Sequence, residues 1–471
     1  MAPPTFSGVT EFQSAIPGET WPAVPEARAA QRLSVLLQLE KSQWWPAEVI
    51  ATHQFDQLQN LLVHAHATVP FYKERLATTG WAPDGLITPE QWRRLPILTR
   101  AELQEAEHDV RSTAIPAEHG TPVSYMTSGS TARPLETVGT ALTRLMWSCF
   151  TLRHHLWHQQ DMSLKMAVIR QFPSEDSLPR RGRVAPGWGP ATEAVVQTGP
   201  CALLDIRRTV GEQAEWLIEQ DPGYLLTYPS NALALARLFE SGRKSLPELR
   251  AVHTFGEVCD LDVRAEVRAA FGVPVVDMYS SQEVGYVALQ CPTQDRYHVQ
   301  AENLIVEVLD ADGAPCRPGQ LGRVVVTTLH NFATPLFRYE LGDYAQVGRP
   351  CPCGRGLPAL TRVLGRQRNM LTLPDGAQRW PTFGDSTEFV QALSTLPRIE
   401  QFQVVQKSLA QLEVLLVCER ALDLVEEELV RDYLDGALGH RFETEFSYHG
   451  EIPRSPSGKF EDFRSELAAP T

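Results

Sequence analysis

YLLTYPSNALALARLFESG, residues 224–242, decides the class of fold. A short apolar run, "YLLTY", meets a Pro-Ser break and is followed at once by the helical pattern "NALALARLFESG". The same sentence repeats on either side. "KMAVIR" (165–170), "RAVHTFG" (250–256) and "VPVVDMYS" (273–280) are further strand-like runs, and "LDVRAEVRAAFG" (261–272) is a further helix. Strand–helix–strand alternation over 165–290 predicts a layered α/β domain with a largely parallel sheet.

Outside this block the pattern changes. From residue 300, "NLIVEVLDADGAP" and "GRVVVTTLHN" are β-rich and separated by an Asp-Gly turn. After Arg366 the chain resets. "FQVVQKSLAQLEVLLVCE" reads as a hairpin, and "LDLVEEELVRDYLDGAL" as a helix with apolar spacing at Leu422, Val425, Leu429, Tyr433 and Leu434. Toward the N-terminus, "FDQLQNLLVHAHATVPFYKERLA" predicts two helices broken at Pro70, and Thr99 can cap a helix in "RRLPILTRAELQEAEHD". The expected organisation is a large N-terminal α/β domain over 1–365 and a small α+β C-terminal domain over 366–471. Residues 1–50, Pro-rich and then helix-like from Glu26, are hard to place.

Length and composition agree with that plan. A chain of 471 residues exceeds one ordinary domain, and 43% hydrophobic with 21% charged residues is globular usage. The net charge of −14 offers no basic field for nucleic acid or an anionic membrane. Eight cysteines in this length make no disulfide scaffold. "MAPPTFSGVTEF" has neither the basic nor the apolar region of a signal peptide, and no apolar run approaches the ~20 residues that span a bilayer. The expected setting is cytoplasmic, with neither nucleic acid nor membrane as a partner.

Candidate chemistry begins at "SYMTSGSTARPLETVGT" (124–140). Thr127, Ser128, Gly129, Ser130 and Thr131 offer hydroxyls and backbone N–H groups that can wrap a polyphosphate without a side-chain cation. Read alone, such a cluster is more often an ordinary loop. Glu283 in "YSSQEVG" lies just beyond a strand-like run, where α/β sheets collect ligands, and can hold Mg²⁺ beside a phosphate. A Glu in the first turn of a helix is the competing reading. Asp343 in "FRYELGDYAQV" can accept hydrogen bonds from a ribose diol, or simply occupy a turn. Arg366 in "LGRQRN" stands at the domain boundary, and Lys459 in "PRSPSGKF" sits on a loop near the C-terminus.

Taken in order, these elements resemble the adenylate-forming superfamily of acyl-CoA synthetases and adenylation domains. The resemblance is greatest to the phenylacetate–CoA ligase branch, together with the related coenzyme F390 synthetase and CapK-like proteins. "HATVPFYKERL", "LPILTRAEL" and "VVVTTLHNFATPLFRYELGD" are similar to that branch's signatures, and the likeness covers roughly residues 55–460. It implies activation of a carboxylic acid by ATP as acyl-AMP, with release of pyrophosphate, then transfer to a nucleophile, usually the thiol of CoA. By position it implies Thr127 to Thr131 over the β- and γ-phosphates, and Gly256 and Glu257 near the adenine. Tyr279 and Ser280 would flank the base and α-phosphate. Glu283 would be the Mg²⁺-associated carboxylate, Asp343 the ribose ligand and Arg366 a ribose and phosphate contact. Lys459 would bridge the carboxylate and α-phosphate, stabilising two anions brought together rather than acting as a base. The small domain would rotate between the half-reactions on a hinge at Arg366 to Asn369.

Some positions depart from the family pattern. Ala132 and Arg133 stand where a second glycine is usual, Arg368 and Asn369 replace an acidic pair, and "MLTLPDGAQRWP" lacks a glycine-rich stretch that faces CoA. An amine or carrier protein therefore stays open as acceptor beside CoA, as in an amide or ester synthetase, and a nucleotide-binding pseudoenzyme is a third reading. A homodimer is left open. The acid pocket implied by the fold would draw on Tyr224, Tyr228, Pro229, Ser230, His253 and Phe255, which suit an aryl or small acyl acid or else are ordinary core. Cys291, His298, Cys351 and Cys353 would satisfy a structural tetrahedral Zn²⁺, or are four unrelated residues; related members carry Cys and His at matching places. "WSCFTLRHHLWHQQ" (147–160) reads as a helix with one buried face rather than a metal site.

Overall fold

The computed structural model describes residues 12–19, 21–126, 135–174, 178–366, 369–381, 396–397, 399–455 and 458–467. The phosphate-loop candidates Thr127 to Thr131, with Ala132 and Arg133, lie outside the described residues, as does Arg368.

The opening stretch folds as strand Tyr224–Thr227 and helix Pro229–Ser241. Proline opens the helix, where a missing N–H costs nothing. Ala232, Leu235, Ala236 and Phe239 then recur at i, i+3, i+4 and i+7 and are buried against the sheet. Helices Val210–Gln220 and Leu261–Phe271 cover the same face.

Five strands form the parallel part: Cys201–Asp205, Met166–Arg170, Tyr224–Thr227, Ala251–Phe255 and Val275–Ser281, side by side in that order. Val275–Ser281 then pairs antiparallel with Gly285–Gln290, and the sheet continues antiparallel through Tyr297–Val299, Ala359–Arg366, Tyr339–Val347, Leu321–Thr328 and Leu304–Leu309. The switch from parallel to antiparallel therefore falls at the Ser281–Gly285 turn, beside the carboxyl ends of the parallel strands. Ligands gather at such ends in open α/β sheets. Helices Ala47–Thr68 and Pro70–Ala77, split at Pro70, pack with Trp92, Leu98 and Phe337 on the antiparallel half. Helix Arg100–Ala106 starts with a reciprocal Thr99–Glu102 capping box.

A separate four-stranded sheet contains the expected hairpin, Ile399–Gln406 with Gln411–Cys418, flanked by Glu443–Tyr448 and Phe463–Ser465. Its own core includes Val404, Leu416, Leu422, Val430, Leu434 and Leu438. Helix Leu424–Leu438 differs from its expected buried face in one respect. Val425 and Leu429 are exposed, at 71% and 46%. Val425 and Leu434 are nine residues apart, about half a turn out of phase, so both cannot face the sheet. Among the described residues no helix is long and apolar enough to cross a membrane.

Candidate active site and metal cluster

Glu283 caps the turn between Val275–Ser281 and Gly285–Gln290, a hairpin tip rather than the first turn of a helix. Its side chain is 8% exposed, and its Oε1 lies 3.3 Å from Arg100 Nη1. Asp343 lies within strand Tyr339–Val347, directly after Gly342, whose φ of 79° breaks the regular pleat. The Tyr279 hydroxyl donates to Asp343 Oδ2 at 2.8 Å, joining two strands that are not neighbours in the sheet. Arg366 ends strand Ala359–Arg366, opposite Asp343 in register, with Nε 3.9 Å from Asp343 Oδ1. Burial pushes the Asp343 carboxyl above its ordinary range, against the pull of Arg366, the Tyr279 hydroxyl and Lys459. The Ser281 hydroxyl oxygen is buried and unpartnered among the described residues, next to Ser280 at the same strand end.

Lys459 reaches this cluster from the small unit. Burial and Arg366 lower its pKa, while Asp343, Glu257 and Glu283 act in the opposite direction. Its Cε lies 3.4 Å from where a side-chain carbon on Gly256 would stand, and Gly256 has φ 79°. That separation is ordinary contact, so the positive φ rather than space is what favours glycine there. The following carboxylate, Glu257, points back at the lysine loop. It accepts the Phe460 N–H at 2.6 Å and the Ser230 N–H at 3.0 Å, with Arg454 Nη1 at 3.6 Å.

The candidate acid-pocket residues divide into two groups. Tyr228 and Phe255 stack at 4.9 Å beside Gly256, with Pro229 and Ser230 opening the adjoining helix. Tyr224 and His253 lie deeper, 5.8 Å apart, in a buried network. There His253 meets His154 Nε2 at 3.0 Å and Gln160 Nε2 at 2.7 Å, while Gln160 Oε1 meets His155 Nδ1 at 2.6 Å. His154 and His155 belong to helix Ala141–Trp157, which the sequence predicted as a helix with one buried face; from Ser148 to Trp157 the buried side chains instead run round the helix.

The four metal candidates converge. The ligand atoms of Cys291, His298, Cys351 and Cys353 all lie within 4.8 Å of one another, and all four residues are buried. Cys291 Sγ and Cys351 Sγ are 3.8 Å apart, and Cys353 Sγ is 3.3 Å from His298 Nε2. The sulfur separation is too long for a disulfide. It matches the edge of a tetrahedron built on Zn–S bonds of about 2.3 Å. Four protein ligands leave no open coordination position, which suits a structural ion.

Residues 385–465 match the family described as the CapK C-terminal domain. Phenylacetate-coenzyme A ligase of Thermus thermophilus is 26% identical over 347 residues, 72% of this chain and 74% of the relative. The enzyme of the same name from Pseudomonas putida is 25% identical over 344 residues, 71% and 74% of the two chains. Over most of its length the chain is thus similar to phenylacetate-coenzyme A ligases, and over its C-terminal part to the CapK C-terminal domain. Its fold matches 2-hydroxyisobutyryl-CoA ligase in the postadenylation state, bound to an acyl-AMP, with TM-score 0.70 at 19% identity over 94% of both chains. The same ligase in the thioesterification state, bound to acyl-AMP and CoA, gives 0.57 at 20% identity, again over 94% of both. The overall arrangement of this chain is thus nearer to the first of these two structures.

Arg100 and Arg454 were missed by the sequence reading. Each is an arginine in a polar stretch whose partner lies far along the chain, 183 residues away for Arg100 and Glu283. Only the capped start of helix Arg100–Ala106, and the Pro-Arg-Ser-Pro-Ser-Gly-Lys setting of Arg454, marked their neighbourhoods.

Proposed function

We propose that this protein activates a carboxylic acid with ATP as acyl-AMP, releases pyrophosphate, and passes the acyl group to the thiol of CoA. The observation that carries the reading is the seating of the Lys459 loop on the large unit, with Lys459 beside Gly256 and Phe460 N–H on Glu257, where the charges of Asp343, Glu283 and Arg366 act on the lysine. Phenylacetate–CoA ligases and an acyl-AMP-bound CoA ligase as relatives support the same chemistry.

In this reading Asp343 holds the ribose diol, its carboxylate already aimed by the Tyr279 hydroxyl. Arg366 approaches from the domain boundary to meet ribose and phosphate. The acid enters beside Tyr228 and Phe255. Its carboxylate attacks the α-phosphorus, the α–β phosphoanhydride bond breaks, and pyrophosphate leaves with that electron pair. Lys459 stands between the two anions and offsets the negative charge that builds up on the α-phosphate oxygens. Glu283 would hold Mg²⁺, which supplies positive charge at the phosphates when bound. Thiol attack on the acyl carbonyl then expels AMP. The units divide at about residue 366, where rotation would carry Lys459 away before thiol transfer. Cys291, His298, Cys351 and Cys353 would hold Zn²⁺ as a brace between Gly285–Gln290, Tyr297–Val299 and the turn before Ala359–Arg366.

One feature favours a second acceptor. The 370–381 segment lacks the glycine-rich stretch expected on a CoA-facing surface, which keeps an amine or carrier-protein thiol as the alternative nucleophile. ATP–pyrophosphate exchange across a panel of aryl and small acyl acids tests adenylation. AMP release on adding CoA then identifies a CoA ligase. Exchange without CoA-dependent AMP release selects the alternative acceptor, and no exchange with any acid favours a nucleotide-binding pseudoenzyme.

A further inference from the structure

The Glu257 carboxylate has more partners than a nucleotide contact would leave it. One oxygen accepts the Phe460 N–H at 2.6 Å; the other accepts the Ser230 N–H at 3.0 Å. Arg454 Nη1 stands 3.6 Å from the first oxygen and donates to Ser230 Oγ at 2.9 Å and to the Gly458 carbonyl at 3.2 Å. The side chains of Glu257 and Arg454 are 6% and 19% exposed. Ser230 belongs to the first turn of helix Pro229–Ser241, whose N-cap, Tyr228, makes no side-chain cap bond. Glu257 therefore supplies the missing acceptor, and its charge suits a helix N-terminus. Phe460 and Arg454 belong to the C-terminal unit, Ser230 and Glu257 to the large one.

The two neighbours in sequence divide the work. Gly256 lies alongside the Lys459 side chain, and Glu257 grips the backbone immediately after that lysine. Gly458, before the lysine, has φ 77°, and a Cβ there would come within 2.9 Å of Gln171 Cβ. The loop is thus seated on both sides of Lys459. Withdrawing it would leave a buried carboxylate without the Phe460 donor and the Arg454 charge, so seating and release concern the whole set together.

We infer that Glu257 and Arg454 form a latch between the two units that seats the Lys459 loop for acyl-AMP formation and must open for the second half-reaction. Both are positioning residues: they act on Lys459 and touch no reacting atom. The inference rests on the adenylation reading for its chemistry but not for its geometry.

Amide hydrogen exchange of the full-length chain tests the geometry and needs no substrate. In Arg454→Ala and Glu257→Gln, peptides carrying Phe460 and Ser230 should both take up deuterium about tenfold faster, the scale for losing a hydrogen bond to a charged group. Peptides carrying Val404 and Leu416, in the C-terminal core, should be unchanged, which excludes general unfolding. Arg454→Lys should restore most of the protection. Unchanged uptake at Phe460 in Arg454→Ala and Glu257→Gln overturns the latch, whether or not any acid is turned over. With an acid that supports exchange of pyrophosphate, Arg454→Ala should lower that rate and leave transfer from preformed acyl-AMP to CoA intact. Equal loss in both half-reactions would overturn the positioning role while leaving adenylation standing.

Discussion

At the scale of single residues, the site is a set of charges that would be costly apart. Arg100 beside the nearly buried Glu283 is the least obvious member. Arg100→Ala should slow acid-dependent pyrophosphate exchange about tenfold, the scale of one charge-assisted hydrogen bond, measured as kcat/KM for ATP. At the other cluster, purified protein should carry one equivalent of zinc by elemental analysis, and Cys353→Ser should lose most of it. Zinc-free wild-type protein that remains folded would remove the metal reading. Glu283, Asp343 and Lys459 could be named as candidates because their motifs follow one another in the order of a known family, each being weak alone. Arg100 and Arg454 were not, because an arginine's partner is chosen by the fold and leaves no trace beside it in sequence.

Elements tell a similar story through helix Ala141–Trp157. The sequence marked a helix, but neither that burial would run round it from Ser148 to Trp157 nor that His154 and His155 would meet His253 and Gln160, since His253 comes from a strand 99 residues beyond His154. Burial lowers the pKa of all three histidines; His155 is pushed down to about 4 from an ordinary 6.5, with its bond to Gln160 opposing. A neutral buried histidine gives the folded state fewer bound protons than the unfolded chain. Its contribution is undiminished above about pH 6.5 and is lost as pH falls from there toward 4. The melting temperature should therefore drop between pH 6.5 and 4.5, and His155→Gln should flatten that drop if it folds. A profile flat across this window in wild type would contradict the neutral network. Helix Leu424–Leu438 was predicted in position but one flank too wide, because Val425 and Leu429 are apolar without being buried. Periodicity reports residue type and cannot say which apolar flank finds a partner.

The whole molecule is a broad sheet with a small unit whose loop closes on the carboxyl ends of the parallel strands. The alternation over 165–290 was enough to predict the layered α/β part, and the reset after Arg366 the separate C-terminal sheet. The seating of one unit on the other was not readable, because it depends on backbone amides such as Phe460 N–H that every residue except proline possesses. That seating places Lys459 near the cluster of Asp343, Glu283 and Arg366, and the function proposed depends on it. The most direct test is acid-dependent ATP–pyrophosphate exchange in wild type and Lys459→Ala. The account predicts a loss of at least about a hundredfold, the scale for removing one well-placed electrostatic group, with the fold retained. Exchange in Lys459→Ala at the wild-type rate would contradict it.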